Sequence, residues 1–361
     1  MPNQHMRPLH IAHVLVGKFL GGMERYVLEL CARIATRGFT NCLLVPHDSP
    51  LIEAARQCAI PCVPVPIRGD VNFLTPARIA HWLRGHQIDL LNVHDNGAAI
   101  PCSLGGRLAG IPVVGTVHAF HGKWPFLAAD HLITVSAALR RHLQTQGFRD
   151  AQISLVRSGV DLDHFAPRPR AEARKALGLP LEGFYFAYVG RLAYGKGLAA
   201  LVDAFAVIAQ RNPRAHLLFA GSGQMENAVR DRVAQKNLGD AVQFLGFQAD
   251  VRPVLAAADC LVLPSESEGL PLILLEAMAS ARAMLATEVG GMPEIVCDGE
   301  TGLLIPPCRE DRLLQAMTRL LDEPEWTTTL GINARHRAEI EHPISKQIEG
   351  TEAVYRRMVK A

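Results

Sequence analysis

The chain has 361 residues, of which 49% are hydrophobic and 20% are charged, a composition typical of globular proteins. At roughly 150 residues per domain, this length predicts two domains with a hydrophobic core each. The formal net charge of +2 excludes bulk nucleic-acid binding, and no apolar run approaches the ~20 residues that cross a bilayer.

The positions of the charged residues and of the cysteines bear on the kind of partner and on the cellular compartment. Residues 1–165 carry 15 Lys and Arg against 11 Asp and Glu, the remainder carries 22 against 24, and twelve of the 15 histidines lie in the first part. This basic first part suits an acidic or phosphorylated partner, or is incidental. Most of the eight cysteines lie in apolar runs, which is typical of buried free thiols in a reducing compartment. Because the start leads into a strand without a secretory signal, we expect a cytoplasmic protein, and peripheral contact with the inner membrane stays open.

Strand and helix signals alternate along the chain, which predicts parallel sheets covered by helices on both faces. The predicted strands are Leu9–Val16, Thr40–Pro46, Cys62–Val65, Asp89–Val93, Pro112–Val117, His131–Val135, Ser154–Val156, Tyr185–Val189, His216–Ala220, Val242–Leu245, Cys260–Leu263, Ala283–Thr287 and Leu303–Ile305. The predicted helices are Gly21–Thr36, Pro50–Gln57, Pro76–Gly85, Ile100–Ala109, Gly197–Ile208, Met225–Lys236, Val251–Ala257, a helix that starts at Pro271, Met292–Val296, Arg309–Leu321 and Ser345–Lys360.

The proline-containing segment Phe165–Gly183 is the predicted linker between two similar α/β units. We expect a first domain over 1–165, a second over 166–343, and a last helix over 344–361. Tandem units of this kind predict a cleft, with ligands at the carboxyl ends of the strands.

The turn after the strand Cys260–Leu263 is the most informative stretch. It reads P-S-E-S-E-G-L-P-L-I-L-L-E-A-M-A from Pro264 and places Glu268 and Glu276 in an E-x7-E spacing. Pro271 lies where a helix starts, a position that tolerates a missing N–H. A strand, a polar turn and a helix N-terminus present backbone amides to a ligand above the sheet.

A second glycine-rich turn follows the strand Tyr185–Val189. It reads G-R-L-A-Y-G-K-G over residues 190–197 and sets Arg191 and Lys196 before a helix. Two cations beside a helix N-terminus indicate a diphosphate site, with solvated surface charges as the other interpretation. Neither a Walker A loop nor a dinucleotide fingerprint is present.

In the first part, Gly21 and Gly22 open a helix within G-K-F-L-G-G-M-E-R, residues 17–25. His118 ends a predicted strand, where an imidazole can bind a ligand hydroxyl or be a structural residue. His94 likewise follows a predicted strand. His121 could be either a ligand-binding or a structural residue. Asp161-Leu162-Asp163 matches the D-x-D of some metal-dependent sugar transferases, but capping of the turn by Asp161 is the favoured interpretation. We expect no metal and no cofactor.

Together these motifs resemble the retaining glycosyltransferase family 4. The match also includes Ser158-Gly159-Val160-Asp161 and V-G-G-M-P-E-I-V-C-D-G-E-T-G-L-L over 289–304, in order along nearly the whole chain. Ser158, where the family often has Asn, and Ala119, where it often has Asp, depart from the pattern. The resemblance implies the α/β GT-B fold: two Rossmann-like, doubly wound parallel-sheet domains that face a cleft.

The resemblance also implies roles for individual residues. Arg191 and Lys196 would hold the donor diphosphate, Glu276 the ribose, and Glu268 the donor sugar, so the two glutamates would clamp opposite ends of one donor. His118 would contact the sugar near the reacting carbon. The remaining implied donor-binding residues are Gly21, Gly22, Gly190, Phe247, Gly269, Leu270, Pro271 and Leu272.

The implied function is a retaining transfer of a hexose from a nucleoside-diphosphate sugar to a hydroxyl of a glycan or lipid-linked acceptor, in cell-envelope polysaccharide or lipopolysaccharide synthesis. A GT-B-shaped nucleotide-sugar epimerase and a non-catalytic nucleotide-sugar-binding protein are the alternatives. The Lys123-Trp124-Pro125-Phe126 segment suits an acceptor at a membrane surface. Donor base, sugar and acceptor are not specified by the sequence.

Overall fold

A computed structural model of the protein describes residues 7–17, 20–65 and 74–360. The chain divides into two units, one of Met1–Arg157 with Ser345–Ala361 and one of Ser158–Ile344. Lys18 and Phe19 of the first glycine-rich turn lie outside the described residues.

Within the described ranges, the first unit holds a seven-stranded parallel sheet in the order β3-β2-β1-β4-β5-β6-β7. The order reverses between β1 and β4, so this is the switch point of a doubly wound sheet. Its strands are β1 Leu9–Val14, β2 Phe39–Val45, β3 Cys62–Pro64, β4 Leu90–Val93, β5 Val113–Val117, β6 His131–Thr134 and β7 Ile153–Leu155. Its first helices are α1 Gly22–Ile34, α2 Leu51–Gln57, α3 Thr75–Gly85, α4 Asn96–Ala109 and α5 Ala137–Thr145.

The second unit holds a six-stranded parallel sheet, again counted over described residues, in the order β10-β9-β8-β11-β12-β13. Its switch point lies between β8 and β11. The strands are β8 Phe184–Val189, β9 Ala215–Ala220, β10 Val242–Gly246, β11 Cys260–Leu263, β12 Ala283–Thr287 and β13 Leu303–Ile305. The helices are α6 Arg170–Ala176, α7 Leu198–Arg211, α8 Glu226–Gln235, α9 Arg252–Ala257, α10 Leu272–Ala279, α11 Met292–Ile295, α12 Glu310–Asp322 and α13 Pro324–Glu341.

Both sheets have the apolar strands that burial on two faces requires. Every residue of β8, β11 and β12 is buried, and so is every residue of β4 and β5. The predicted parallel α/β architecture is confirmed for each unit.

The segment Phe165–Gly183 is not an extended linker, because helix α6 lies inside it and belongs to the second unit. Arg174 of this helix is buried, and its Nη2 lies 2.8 Å from Oδ2 of Asp259. The same oxygen accepts a hydrogen bond from the backbone N–H of Tyr185 at 2.7 Å. The prolines and charges that suggest a linker therefore surround a short helix tied to the start of β8.

Besides α6, two further helices, α5 and α13, were not predicted. Helix α5 buries only Leu139 and Leu143, so its apolar pattern is short. Helix α13 buries mostly small side chains, and a Cβ added at Gly331 would lie 2.4 Å from the carbonyl oxygen of Ala281. Close packing through glycine and alanine gives no apolar stripe of the kind that sequence patterns detect.

The last helix, α14 Ile344–Lys360, joins the first unit through its buried face. Tyr355 is fully buried, and its hydroxyl accepts a hydrogen bond from Nδ2 of Asn92 at 2.5 Å. Thr116 in turn donates to Oδ1 of the same asparagine at 3.0 Å. Among the described residues, no helix is long and apolar enough to span a membrane.

Candidate active site

The carboxyl ends of β8 and β11 carry the two turns with the strongest sequence motifs. The turns contact each other directly, because the backbone N–H of Glu266 donates to the carbonyl of Gly195 at 2.8 Å. Gly197 has a φ of +67°, and a Cβ there would lie 2.1 Å from the carbonyl oxygen of Pro264. Only glycine satisfies both the left-handed backbone and this approach. The two motifs thus form one surface at the switch point of the second sheet.

Lys196 and Glu268 meet at this surface. The Nζ of Lys196 lies 2.5 Å from Oε1 of Glu268, and both side chains are mostly but not fully buried. Ser265 also donates to Oε1, at 2.9 Å. One carboxylate oxygen, Oε1, therefore accepts both hydrogen bonds. The two residues assigned to diphosphate and sugar are therefore coupled to each other.

Tyr188 holds the backbone of Arg191 through a hydrogen bond. This tyrosine is buried, and its hydroxyl donates to the carbonyl of Arg191 at 2.9 Å. Burial, together with the negative charge of Glu268, raises the pKa of Tyr188, so the hydroxyl stays protonated and remains a donor. Arg191 itself is exposed.

Helix α10 begins one residue later than predicted, at Leu272, with Pro271 in an extended conformation as its N-cap. Glu276 lies one turn into the helix and is partly buried. The carbonyl of Gly269 accepts from the N–H of Gly291 at 2.7 Å, which ties this turn to the one after β12. The other residues assigned to donor binding in this unit lie at the same carboxyl edge: Gly190 after β8, Phe247 after β10 with 56% of its surface exposed, and Leu270, partly buried, before α10.

In the first unit, Gly21 and Gly22 follow β1 at the switch point. Gly21 is the N-cap of α1, and its N–H donates to Oε2 of Glu24 at 2.9 Å. Glu24 is buried, and a Cβ at Gly17 would collide with its carboxylate. Gly17 and Gly21 thus both lie against the carboxylate of the first helical turn.

His118 is the outer member of a row of three histidines at the carboxyl ends of β1, β4 and β5. Its Nε2 lies 3.2 Å from Nδ1 of His94, whose Nε2 lies 3.1 Å from Nδ1 of His13. The inner ring, His13, lies with Nε2 3.2 Å from Oδ1 of Asn41. Tyr26 packs edge-on against His118, with ring centroids 4.8 Å apart.

Burial keeps these histidines neutral. It lowers the pKa of His13 to about 4 and that of His118 to about 3, and it lowers the pKa of His94 well below its usual range. His94 is therefore an internal member of the row, whereas His118 is partly exposed at its end. His121 lies apart: it is exposed, and its carbonyl accepts a hydrogen bond from His142 Nε2 at 2.7 Å.

Asp161 caps its own turn, as the sequence indicated. Its Oδ1 accepts from the N–H groups of Asp163 and His164, each at 3.0 Å. Among the residues that the structure describes, no group of three or more His, Cys, Asp or Glu side chains is placed to hold a metal ion.

Four residues were not recognised in the sequence: Tyr188 and Ser265, which contact Arg191 and Glu268, and His13 and Asn41, which lie behind His94 in the histidine row. His13 and Asn41 lie on neighbouring parallel strands, so only the register brings their side chains together. The sequence held one indication that His13 faces inward. Residues two apart on a strand share a face, so His13 lies on the same face of β1 as the apolar Ile11. Nothing in the local sequence distinguishes Tyr188 or Ser265 from other strand-end residues.

The fold and these two sheet edges define a GT-B glycosyltransferase. Residues 20–164 match the family described as Glycosyltransferase Family 4, and residues 169–337 match Glycosyl transferases group 1. The D-inositol 3-phosphate glycosyltransferase of Kineococcus radiotolerans is 34% identical over 397 residues, which cover 94% of this chain and 91% of that protein. The chain belongs to glycosyltransferase family 4.

One further relative is similar in sequence, and one solved structure is similar in fold. The UDP-Gal:alpha-D-GlcNAc-diphosphoundecaprenol alpha-1,3-galactosyltransferase of Escherichia coli is 26% identical over 388 residues and 99% of each chain. The structure of Anabaena HepE in complex with UDP-glucose superposes with a TM-score of 0.85 at 20% identity, covering 96% of this chain and 99% of that one. The predicted GT-B fold and family are confirmed.

Proposed function

We propose that this protein is a retaining hexosyltransferase that moves a sugar from a nucleoside diphosphate to a hydroxyl of a glycan or lipid-linked acceptor in envelope polysaccharide or lipopolysaccharide synthesis. The observation that carries the proposal is the Lys196–Glu268 pair at 2.5 Å beside the helix N-termini of the second sheet. The Escherichia coli relative, whose name gives the lipid-linked GlcNAc-diphosphoundecaprenol as its acceptor, supports the acceptor class.

In the proposed reaction, the bond between the anomeric carbon and the diphosphate oxygen breaks, and its electron pair stays on the diphosphate. The acceptor oxygen bonds to the same face of the carbon and gives its proton to the leaving diphosphate oxygen. Lys196 and Arg191 would neutralise the charge that grows there, which lowers the barrier because the interaction strengthens in the transition state. Glu276 would bind the ribose and Glu268 the sugar hydroxyls.

The Lys196–Glu268 contact adds a step to this scheme. Without donor, the ammonium is held by the carboxylate, so Lys196 is oriented before the diphosphate arrives. The other carboxylate oxygen is the one suited to a sugar hydroxyl. A diphosphate and a hydroxyl would thus be recognised by one coupled pair, and no metal ion or cofactor is needed in this scheme.

The test is a transfer assay on sugar nucleotides chosen by thermal-shift screening, because a ligand at ~100 times its dissociation constant stabilises a protein by about 2.7 kcal/mol. Lys196→Ala should lower kcat/KM by about 10²-fold, since a charge-assisted hydrogen bond contributes about 1.5–3 kcal/mol and each 1.4 kcal/mol is tenfold. Glu268→Ala should be similarly impaired.

The matched control is Lys236→Ala, which removes a lysine of the same unit that lies 3.3 Å from Asp203 and away from the turns. It should keep the wild-type rate, because exposed ion pairs contribute about 0–1 kcal/mol. Wild-type activity in both site variants would refute the assignment. Conversion of the donor without any acceptor would indicate an epimerase instead, and NMR of the product anomer checks retention.

Peripheral contact with the cytoplasmic face of the inner membrane is the second part of the proposal. Trp124 and Leu127 in the first unit are 68% and 46% exposed, and Lys123 is exposed beside them. Helix α4 packs against this turn. Its exposed apolar residues, at four-residue spacing, are Ile100, Leu104 and Leu108. The eight cysteines are all free thiols, which is typical of a reducing compartment.

Sedimentation with anionic phosphatidylglycerol vesicles at low salt tests this contact. Trp124→Ala should reduce the bound fraction several-fold, because an interfacial tryptophan contributes apolar area and a polar edge. Ile332→Ala, which removes a side chain that is 59% exposed in the second unit, is the control. Equal binding by both variants, or no binding by the wild type, would contradict membrane contact.

A further inference from the structure

We infer that Asn41 fixes the tautomer of His118 through His13 and His94, so that His118 presents Nδ1 as a hydrogen-bond acceptor for a ligand hydroxyl. Asn41 is then a positioning residue, since it acts only through the intervening rings. The identity of the hydroxyl as one on the donor sugar rests on the proposed function, whereas the order of protons in the row does not.

The order of protons in the row begins at the buried amide of Asn41. Its Nδ2 lies 3.2 Å from the carbonyl oxygen of Cys31, which has no proton to give, so the amide nitrogen must face that carbonyl. The amide oxygen then faces Nε2 of His13, 3.2 Å away. Because an amide oxygen can only accept, the proton of this contact belongs to His13 Nε2.

A neutral imidazole carries one N–H, so the first proton decides the others. With Nε2 protonated, His13 Nδ1 is an acceptor, and the proton of the 3.1 Å contact must come from His94 Nε2. His94 Nδ1 is then an acceptor as well, and His118 Nε2 supplies the proton of the 3.2 Å contact. The Nδ1 of His118 is left with a free lone pair.

This ordering requires that all three rings be neutral, and their surroundings provide that. His13 faces Asn41, His94 and the ring of Tyr355, and His94 is flanked by His13, His118 and Tyr26. Among the described residues, no carboxylate hydrogen-bonds to any of the three imidazoles. Without a counter-charge, burial disfavours the imidazolium form of each ring.

The consequence is a chemical preference at His118. An acceptor nitrogen binds a hydroxyl, which can donate, and is mismatched to a phosphate oxygen or a carboxylate, which at neutral pH can only accept. A donor sugar that lacks the facing hydroxyl should be used about 10–100-fold less well, because an unpaired buried polar group costs about 1–3 kcal/mol.

The direct test is ¹⁵N NMR of the full-length wild type labelled at histidine, without ligand at pH 7, since the two ring nitrogens of each tautomer have distinct chemical shifts. Signals are assigned from His13→Gln, His94→Gln and His118→Gln. The expected result is Nε2–H with a bare Nδ1 in all three rings. An Nδ1–H tautomer or an imidazolium at His118 would overturn the inference.

Asn41→Asp tests whether residue 41 controls the row. A buried carboxylate there favours His13 as an imidazolium, which donates from both nitrogens and forces His94 and His118 to carry their protons on Nδ1. The tautomer of His118 should therefore reverse, while His131, which contacts Ser154 and Arg357 instead, keeps its signals. A folded variant with an unchanged His118 would overturn the role of Asn41; should the variant not fold, the wild-type spectrum decides.

Kinetics with a series of monodeoxy donor sugars completes the test. In the wild type, one deoxy position should lower kcat/KM by about 10–100-fold, and in His118→Ala the same deletion should have almost no further effect. An equal loss in both proteins would overturn the assignment of a hydroxyl to His118. If no sugar nucleotide is turned over at all, the proposed function fails, and the tautomer spectrum still tests the order of protons.

Discussion

The carboxyl edge of the first sheet is lined by neutral buried rings, whereas that of the second carries an ion pair that is partly open to solvent. His13 and His94 are fully enclosed and hydrogen-bonded in a row. Lys196 and Glu268 keep 20% and 16% of their side-chain surface exposed. The two sheets share one architecture, but the first presents neutral hydrogen-bonding rings at its carboxyl ends and the second presents charged side chains.

In the proposed reaction, the neutral edge meets a hydroxyl through His118, whereas the charged edge meets the leaving diphosphate through Lys196 as well as sugar hydroxyls through Glu268. Hydroxyls are recognised by the direction of donors and acceptors, which buried rings hold rigidly. A leaving diphosphate is recognised by charge, and charges tolerate enclosure only when they are paired. Weakening each edge separately tests this difference.

The largest effect is expected from Gly197→Ala at the charged edge. The residue has a φ of +67°, and its new Cβ would lie 2.1 Å from the carbonyl of Pro264. We expect a loss of about 3 kcal/mol or more in the free energy of unfolding, a fall in Tm of about 6–12 °C, and kcat/KM at least ~10²-fold lower, because the turns that hold Lys196 and Glu268 are forced apart.

Calorimetry and the transfer assay measure these two effects. Gly239→Ala is the control, since its Cβ would meet nothing within 4 Å. A Gly197→Ala protein with wild-type Tm and rate would show that the contact between the two turns is unimportant.

Lowering the pH should destabilise the protein through the buried histidines of the neutral edge. The pKa of His13 is lowered from its ordinary value of 6.5 to about 4 because the ring is buried. The unfolded chain therefore binds a proton that the folded chain excludes, and stability present above pH 6.5 is lost as the pH falls toward 4. At pH 5 this histidine alone should cost about 2 kcal/mol of the free energy of unfolding.

Denaturant unfolding at pH 7, 6 and 5 tests this dependence. In His13→Gln, the slope of the free energy of unfolding against pH should fall by the equivalent of up to one proton. His81→Gln, which changes an exposed residue, should leave the slope unchanged. Full wild-type stability at pH 5 would contradict neutral burial of the row and with it the comparison of the two edges.

The strands and the charged edge were predictable from the sequence because both are encoded locally. Short apolar runs gave the bounds of β11, β12 and β13 to the residue. Lys196 and Glu268 follow strands in turns with glycine and proline, so their placement at a carboxyl edge needs no knowledge of the sheet order. Their mutual contact does need it, because β8 and β11 are neighbours only in the folded sheet.

The neutral edge shows what a local pattern cannot provide. His118 was predicted as a ligand residue, but the row behind it depends on β1 pairing with β2 on one side and β4 on the other. A parallel register is set by tertiary packing and not by adjacent residues. His13 and Asn41 were missed for this reason, as was helix α13, which packs through small residues.

A moderate effect is expected for Tyr188→Phe, which frees the carbonyl of Arg191 from its 2.9 Å hydrogen bond. Loss of the bond should cost about 1 kcal/mol of stability and raise the KM for the donor about 3–10-fold with a smaller change in kcat, because Arg191 is less well oriented. Tyr194→Phe is the matched control, since Tyr194 lies in the same turn with 74% of its surface exposed. Identical KM values in wild type and Tyr188→Phe would show that the charged edge needs no buried anchor.

The smallest effect is expected from removing the carboxylate of Asp163 and from chelation of metal ions. Asp161 is engaged by the N–H groups of Asp163 and His164, and Asp163 is exposed. Asp163→Asn keeps that backbone N–H, and the proposed scheme assigns the leaving-group charge to Lys196 and Arg191. The transfer rate should therefore change less than about twofold in Asp163→Asn and in wild type treated with EDTA. A rate abolished by EDTA and restored by Mg²⁺ or Mn²⁺ would mean that a divalent cation shares the diphosphate charge, because a bound cation is the largest local charge in such a site.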